Sequence, residues 1–327
     1  MSDTGVGRPM RLCFLGCGRV ADAHSRTLRR LRPAVTCSYA SRSIDKARAL
    51  AAKHGGARAF GSYGEALASP DVDVIAVVTP PLSHLEWTLA ALDAGKDVIL
   101  EKPPVLRSSD FDAIEHASAA RKRLVYVAEN YYYKPILAAV RDTLSAGVIG
   151  EPLFINLNAV KRQPTGNWRD DPREAGGGAL FEGGIHWINF AGALGFTIRR
   201  VKAARPGPSA GLERSMVLLI EYDEGPVGML SYSWEVASPL KGIRASRIYG
   251  REGSVVFESN GLFLATSGHR WRIRFPNPGD MLGYRGMFVD FLRAWQARTE
   301  PRMTLARARR DIEVIEEAYR SAGVTAG

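Results

Sequence analysis

Up to about residue 125, short apolar runs alternate with segments whose apolar residues recur every three or four positions. The runs at 11–15, 35–40, 73–78, 97–100 and 124–127 are nearly continuous in apolar residues and too short for helices. They predict strands buried on both faces. Between them, 20–31, 45–53, 83–93 and 110–120 carry helical spacing, with Leu85, Leu89 and Leu92 on one face. Strands of this kind, alternating with helices, predict a parallel, doubly wound α/β sheet.

Beyond about Ala128 the rhythm changes. A helical pattern at 135–146 ends at Gly147 and Gly150, and strand patterns then dominate. They fall at 153–160, 216–222, 227–234, 244–249, 254–258, 262–265 and 271–275. The turn pairs Glu224–Gly225, Glu252–Gly253 and Asn260–Gly261 separate several of them, which predicts a mostly antiparallel sheet. Helical patterns at 285–296 and 305–321 close the chain, with no internal repeat or low-complexity linker.

Composition adds limits. A length of 327 residues suggests two domains, and 46% hydrophobic with 24% charged residues is ordinary for a folded soluble protein. No apolar run is long enough to span a membrane, and the start, MSDTGVGRPMRLC, has no apolar signal core. A cytoplasmic protein is expected. Cys13, Cys17 and Cys37 are too few and too clustered for a disulfide framework or a zinc site, so buried free thiols and no metal are expected. The net charge of +10 permits a phosphorylated ligand, but no nucleic-acid-binding module is recognisable and no such partner is expected. In the densest basic stretch, Arg270, Arg272 and Arg274 alternate with Trp271, Ile273 and Phe275, as on a strand with a solvated arginine face.

Two stretches carry chemistry. Gly16-Cys17-Gly18-Arg19-Val20-Ala21 follows a strand and opens a helix, the G-x-G-x-x-A arrangement of a dinucleotide site. Gly16 permits the turn, Gly18 lets backbone approach a pyrophosphate, and the helix start at Arg19 and Val20 supplies partial positive charge. The second strand ends in Ala40-Ser41-Arg42-Ser43, with no acid to hold a ribose 2′-hydroxyl. Ser41 and Arg42 offer a hydroxyl and a bidentate cation instead, which favours NADP and leaves NAD open. Further on, Glu101-Lys102-Pro103 stands at the carboxyl end of a buried strand, where ligands of doubly wound sheets bind. Partial desolvation there suits Lys102 to proton transfer, and the Lys102–Pro103 bond is a candidate cis peptide.

The assembled motifs resemble the glucose–fructose oxidoreductase, inositol dehydrogenase and MocA (Gfo/Idh/MocA) family. They run in family order: the glycine turn, Thr79-Pro80-Pro81 with His84, Glu101-Lys102-Pro103, Glu129-Asn130 with Pro135, Trp168-Arg169, Gly176-Gly177-Gly178 leading to His186, and Tyr284. The resemblance spans nearly the whole chain. It implies a Rossmann dinucleotide-binding domain over 1–127 and an α+β substrate-binding and oligomerisation domain over 128–327, with a large open sheet. It implies hydride transfer between NAD(P) and a secondary alcohol or ketone of a sugar, sugar derivative or cyclitol. It also implies a homodimer or homotetramer formed through the second sheet. By the same resemblance Lys102 leads the proton handling. Thr79, Pro80, His84, Glu101 and Asn130 lie along the cofactor, and Trp168, Arg169 and Tyr284 lie near its nicotinamide half.

Within GGGALFEGGIHWIN, Glu182 and His186 stand four residues apart. On a helix they share a face, so Glu182 is expected to orient His186, and His186 to aid Lys102. Gly183 and Gly184 are costly inside a helix and predict a close approach of backbone to a ligand or another element. The chain departs from the commonest family pattern in having Glu182 and Asn189 where aspartates are frequent. It also has Tyr131-Tyr132-Tyr133 where an arginine is frequent. The tyrosines suit either stacking on a sugar face or an aromatic core patch. Two other functions stay open: a non-redox lyase or glycosidase with a tightly bound nicotinamide cofactor, and a non-catalytic NADP sensor. Intact Lys102 and His186 weigh against the sensor.

Overall fold

Strand β1 (Met10–Leu15) is apolar enough to be buried almost throughout, and it anchors a six-stranded sheet. The computed structural model describes residues 8–166, 168–171, 175–207, 211–237, 243–268 and 270–324. The first residues of the segment MSDTGVGRPMRLC, and the Trp168 side chain, lie outside this description. Strands β2 (Val35–Ala40), β3 (Ala59–Phe60), β4 (Val74–Val77), β5 (Asp97–Glu101) and β6 (Val125–Ala128) complete the sheet in the order β3-β2-β1-β4-β5-β6. Every pairing is parallel. All residues of β4, β5 and β6 are buried, as strands covered by helices on both faces must be. This is the Rossmann order, and it reverses between β1 and β4, so the carboxyl ends of those strands form a crevice.

The helices of this unit span Arg19–Leu28, Ile44–His54, Tyr63–Ala68, His84–Asp93 and Asp110–Arg121. The predicted helix at 20–31 tightens to a 3-10 turn over Arg29–Leu31. The late helix Tyr284–Ala297 also belongs here: the compact unit comprises the chain up to Ala128 together with Tyr284–Ala308. Phe291 of that helix packs on Tyr126 of β6, and Tyr284 and Phe288 set their ring edges against His24.

The other unit, Glu129–Gly283 with the chain from Arg309 onward, holds an eight-stranded sheet. Its strands are β7 (Pro152–Val160), β8 (Ile198–Ala204), β9 (Ser215–Tyr222), β10 (Val227–Ser233), β11 (Ala245–Gly250), β12 (Ser254–Glu258), β13 (Leu264–Ser267) and β14 (Arg272–Arg274). The order is β14-β13-β12-β11-β7-β10-β9-β8, antiparallel except where β10 runs parallel to β7. In β9, buried and more exposed residues alternate, so one face of the sheet is core and the other is open. Helices Pro135–Ser145 and Ile185–Gly192 belong to the same unit; Phe190 stacks on Phe257 of β12 at 5.6 Å. On the open face Phe154, Val217, Leu219 and Met229 remain exposed. At the sheet edge the arginine side is not purely solvated. Arg274 reaches the carbonyl of Ala139 and the hydroxyl of Thr143, while Trp271, Ile273 and Phe275 are exposed.

Among the described residues no helix is long and apolar enough to cross a membrane, and no group of three or more His, Cys, Asp or Glu is placed to hold a metal ion. The three cysteines are free, with Cys13 and Cys37 buried and Cys17 half-buried.

Candidate functional site

The glycine turn after β1 is built for close approach. Gly16 has φ +109°, and a Cβ there would lie 3.1 Å from the Val78 carbonyl oxygen, so a side chain would strain both backbone and packing. Gly18 caps the helix Arg19–Leu28 without a side-chain hydrogen bond, and a Cβ there would meet nothing within 4 Å. The first amides of that helix, at Arg19 and Val20, have no intrahelical partners, and Arg19 is exposed. Ala21 is fully buried where helix meets sheet. These residues fit a dinucleotide pyrophosphate on the helix start.

At the end of β2, Ser41 is buried and its Oγ accepts from the Ser43 amide at 3.2 Å. Arg42 is exposed beside it, and its charge is felt at the Tyr63 phenol. Lys46 acts likewise on Cys17, whose thiol burial nonetheless pushes up to about 11. Asp45, the nearest acid along the chain, is 88% exposed and lies 3.8 Å from Arg48.

At the end of β5, Glu101 is buried and hydrogen-bonded twice. His24 Nε2 lies 2.7 Å from Oε1, and the Lys102 amide donates to Oε2 at 2.7 Å. Burial works to raise the Glu101 pKa, but His24, Lys102 and these bonds prevail and hold it low. Lys102 is half-buried and its peptide bond to Pro103 is cis. His84 is buried, with Nδ1 2.8 Å from the Pro103 carbonyl oxygen and Nε2 2.8 Å from that of Thr79. It ties the loop after β4 to the loop after β5. Burial pushes its pKa down against the pull of both carbonyls. Thr79 Oγ1 accepts from the Ser83 hydroxyl at 2.8 Å, and Pro80 is exposed.

His24 is the residue that sequence reading passes over here. The buried positions of its helix are Ala21, His24, Ser25 and Leu28. A histidine where helical spacing asks for an apolar residue was the available signal. Tyr284, predicted near the nicotinamide, sits at the start of its helix with its ring 5.3 Å from that of His24.

In the second unit, the loop after β6 and the glycine-rich segment meet around His186. Nδ1 of His186 lies 2.7 Å from Oε1 of Glu129, which also accepts from the Tyr131 amide at 2.9 Å. The carboxylate on His186 is therefore Glu129, not Glu182. The expected helical face fails because residues Leu180–Gly184 form a π-helical turn, wider than an α-turn, before the helix Ile185–Gly192 begins. Glu182 instead receives Arg169, with Nε at 3.0 Å and Nη2 at 2.9 Å.

The tyrosines resolve toward an aromatic patch. Tyr131 stacks on the His186 ring at 4.4 Å and 12°, and meets Trp187 edge-on at 5.5 Å. The Lys134 ammonium stands 4.2 Å from the centre of the Tyr131 ring and donates to the Ser259 carbonyl at 3.3 Å. Burial lowers the Lys134 pKa to about 8 and raises that of Tyr131 to about 12. Asn130 Nδ2 donates to the Leu282 carbonyl at 2.6 Å. The next residue, Gly283, has φ +76°, and a Cβ there would lie 2.5 Å from the Asn130 carbonyl oxygen.

The expected close approach at Gly183 and Gly184 is to another element. A Cβ at Gly183 would lie 2.3 Å from the Tyr232 hydroxyl of β10; one at Gly184 would first meet the Leu180 side chain of its own turn, at 2.7 Å, and then the Tyr232 ring at 3.4 Å. Asn189 donates to Asp311 at 2.8 Å. An aspartate at 189 would put two carboxylates face to face, which explains the amide. Further along the chain, buried Glu213 accepts from the Leu180 amide at 2.7 Å and from the Tyr319 hydroxyl at 2.9 Å. Burial raises its carboxyl to about 7.

Comparison with known proteins finds family models over two stretches of the chain. Residues 10–131 match the family model described as "Oxidoreductase family, NAD-binding Rossmann fold", and 137–256 match "GFO/IDH/MocA C-terminal domain". A dTDP-3,4-didehydro-2,6-dideoxy-alpha-D-glucose 3-reductase of Streptomyces violaceoruber is 31% identical over 84% of this chain and 80% of the relative. A trans-1,2-dihydrobenzene-1,2-diol dehydrogenase of Xenopus tropicalis is 26% identical over 88% of this chain and 90% of its own. Among solved structures, a levoglucosan dehydrogenase in complex with NADH and levoglucosan superposes with TM-score 0.85 at 21% identity, over 97% of this chain and 98% of that one. An aldose–aldose oxidoreductase from Caulobacter crescentus gives 0.86 at 21%, over the same shares.

Proposed function

This chain belongs to the Gfo/Idh/MocA family of NAD-binding oxidoreductases, and from that premise we propose that it transfers a hydride between NADP(H) and a secondary alcohol or ketone of a sugar, a sugar derivative or a cyclitol. The observation that carries the catalytic part is the Glu101–Lys102 pair at the carboxyl end of a fully buried parallel strand, two strands over from the one that ends in the glycine turn. The sugar class is supported by the relatives' names.

NADP is favoured by charge. Arg42 and Lys46 flank the end of β2, and no carboxylate stands at 41–44 to repel a 2′-phosphate. Gly16, Gly18 and the amides of Arg19 and Val20 would hold the pyrophosphate, and Ser41 and Arg42 the ribose phosphate. Thr79, Pro80 and Glu101 would line the rest, with His84 bracing the two loops that carry them. When bound, the nicotinamide supplies or accepts the hydride. Lys102 takes the hydroxyl proton in its amine form during oxidation and returns it in its ammonium form during reduction. His186, held by Glu129, aids Lys102. Glu182 with Arg169, together with Asn130, Trp168 and Tyr284, stay proposed for positioning substrate and nicotinamide. The exposed apolar face of the second sheet suits a homodimer or homotetramer, and three free cysteines suit the reducing cytoplasm.

Calorimetric titration with NADP(H) and NAD(H) side by side tests the cofactor, and turnover of Lys102→Ala tests the chemistry. NADP(H) is expected to bind at least about tenfold tighter, or ~1.4 kcal/mol, with the preference lost in Arg42→Ala. Lys102→Ala is expected to bind cofactor normally and turn over nothing measurable. Preference for NAD(H) would refute the 2′-phosphate site, and normal turnover of the variant would remove Lys102 from the mechanism.

A further inference from the structure

A cavity of about 520 Å³ opens at the amino-terminal edge of the six-stranded sheet, the end of the strands opposite Gly16 and Lys102. At about 3.3 Å per residue, a strand of this length puts the two ends some 16 Å apart. The cavity is strongly cationic. Arg8, Arg11, Lys96, Arg123 and Arg298 line it, against two lining carboxylates, Asp73 and Asp97.

Both carboxylates are already engaged. Asp73 receives Arg11 through two nitrogens, at 2.8 and 2.7 Å, and Arg8 at 2.8 Å. Asp97 receives Arg298, the Trp295 indole at 3.0 Å and the Leu124 amide at 2.8 Å. Lys96 and Arg123 are left without an acid. Lys96 donates to two neutral carbonyls, of Ser69 at 2.7 Å and Val72 at 2.8 Å. Arg123 Nε is buried and has no hydrogen-bond partner. Gly95 is a neighbour of this guanidinium: a Cβ there would lie 3.8 Å from Arg123 Nη2. A buried N–H without an acceptor is costly, and an anionic oxygen would satisfy it and neutralise the excess charge.

We propose that this cavity is a second binding site, for a phosphomonoester of metabolite size, with its phosphate on Arg123 and Lys96 and its remainder along Trp295 and Gln296. A phosphate dianion matches two uncompensated cations, one a planar fork and one a point charge. The volume exceeds the need of inorganic phosphate and falls in the range of small-molecule sites. Burial, with help from Arg11 and Arg123 and opposed by Asp73, lowers the Lys96 pKa, as expected of an ammonium short of counter-charge.

Phenyl phosphate is a suitable probe, because it carries the phosphate and a flat body but no carbinol to oxidise. It would be titrated calorimetrically into the whole protein with the cofactor site saturated. One molecule per chain is expected to bind, with Kd near or below about 1 mM. Arg123→Gln is expected to weaken it at least tenfold, to leave cofactor affinity unchanged and not to lower the melting temperature, since Arg123 Nε has no partner to lose. Lys96→Gln is the second variant, with the same expectation for phenyl phosphate. Absence of binding up to about 10 mM, equal affinity in both variants, or equal affinity for benzoate would each overturn the assignment.

Discussion

Glu129 accepts two hydrogen bonds on one oxygen, from the Tyr131 amide and from His186 Nδ1. Because a carboxylate oxygen accepts, Nδ1 is the protonated nitrogen, and Nε2 remains for chemistry. Tyr131 fixes the plane of the same imidazole by stacking at 4.4 Å. Two residues from one loop thus set both the tautomer and the tilt of His186. Glu129→Gln keeps the shape and an accepting oxygen but removes the charge that holds His186. If His186 aids Lys102, kcat is expected to fall by about ten- to a hundredfold, with KM and cofactor affinity little changed. Steady-state kinetics beside a cofactor titration checks this. An unchanged kcat would make the Glu129–His186 pair a structural one. The sequence offered Glu182 as the partner because it lies on the same segment. Glu129 lies far earlier in the chain, and no local pattern connects the two.

At the scale of elements, the segment carrying Glu182 and His186 is held at its start by Glu213. Glu213 Oε1 accepts from Leu180, and the Tyr319 hydroxyl that bonds it also accepts from the amides of Gly178 and Phe181, at 3.2 and 3.3 Å. Burial raises this carboxyl from 4.5 to about 7, so the folded chain keeps a proton that the unfolded chain releases. The resulting stability is fully present below about pH 4.5 and is lost as pH rises through about 7. Gln mimics the protonated acid and retains an oxygen for both donors. Glu213→Gln is therefore expected to match the parent near pH 5 and exceed it by up to about 3 kcal/mol near pH 8. Thermal denaturation across that range is the measurement, and a pH-independent difference would contradict the cause given. The π-turn that follows needs Gly183 and Gly184, because the Tyr232 hydroxyl and the Leu180 side chain occupy the space that side chains there would fill.

At the scale of the molecule, the second sheet leaves one face open. Met229 pairs with Leu219 across β10 and β9, Val217 lies two residues from Leu219, and Phe154 pairs with Val227. Cross-strand partners share a face, so these residues form one apolar patch. Their exposure in the single chain is 55% for Phe154, 43% for Leu219 and 44% for Met229, enough to make this patch the proposed contact between copies. Charging its centre with Leu219→Lys and Met229→Lys is expected to shift light-scattering mass from oligomer to monomer. Both side chains point away from the core, so the fold is expected to persist. An oligomer indifferent to both changes would place the contact elsewhere.

Periodicity and residue type made much of this legible in the sequence alone. Runs apolar on both faces announced the parallel sheet, and Val35–Ala40, Ser254–Glu258 and Leu305–Ser321 have the predicted bounds. Short or edge elements escaped. β3 has two residues, too few for a period, and β8 (IRRVKAA) reads as polar because only Ile198 and Val201 are buried. The glycine turn and Glu101–Lys102 were legible because their chemistry is local: a turn that needs positive φ, and a cation at a strand end. Tertiary structure decided the parallel pairing of β10 with β7, the partner of His186, the brace of His84 and the cationic cavity. Each depends on which distant groups come within hydrogen-bond reach, and spacing along the chain holds no record of that distance.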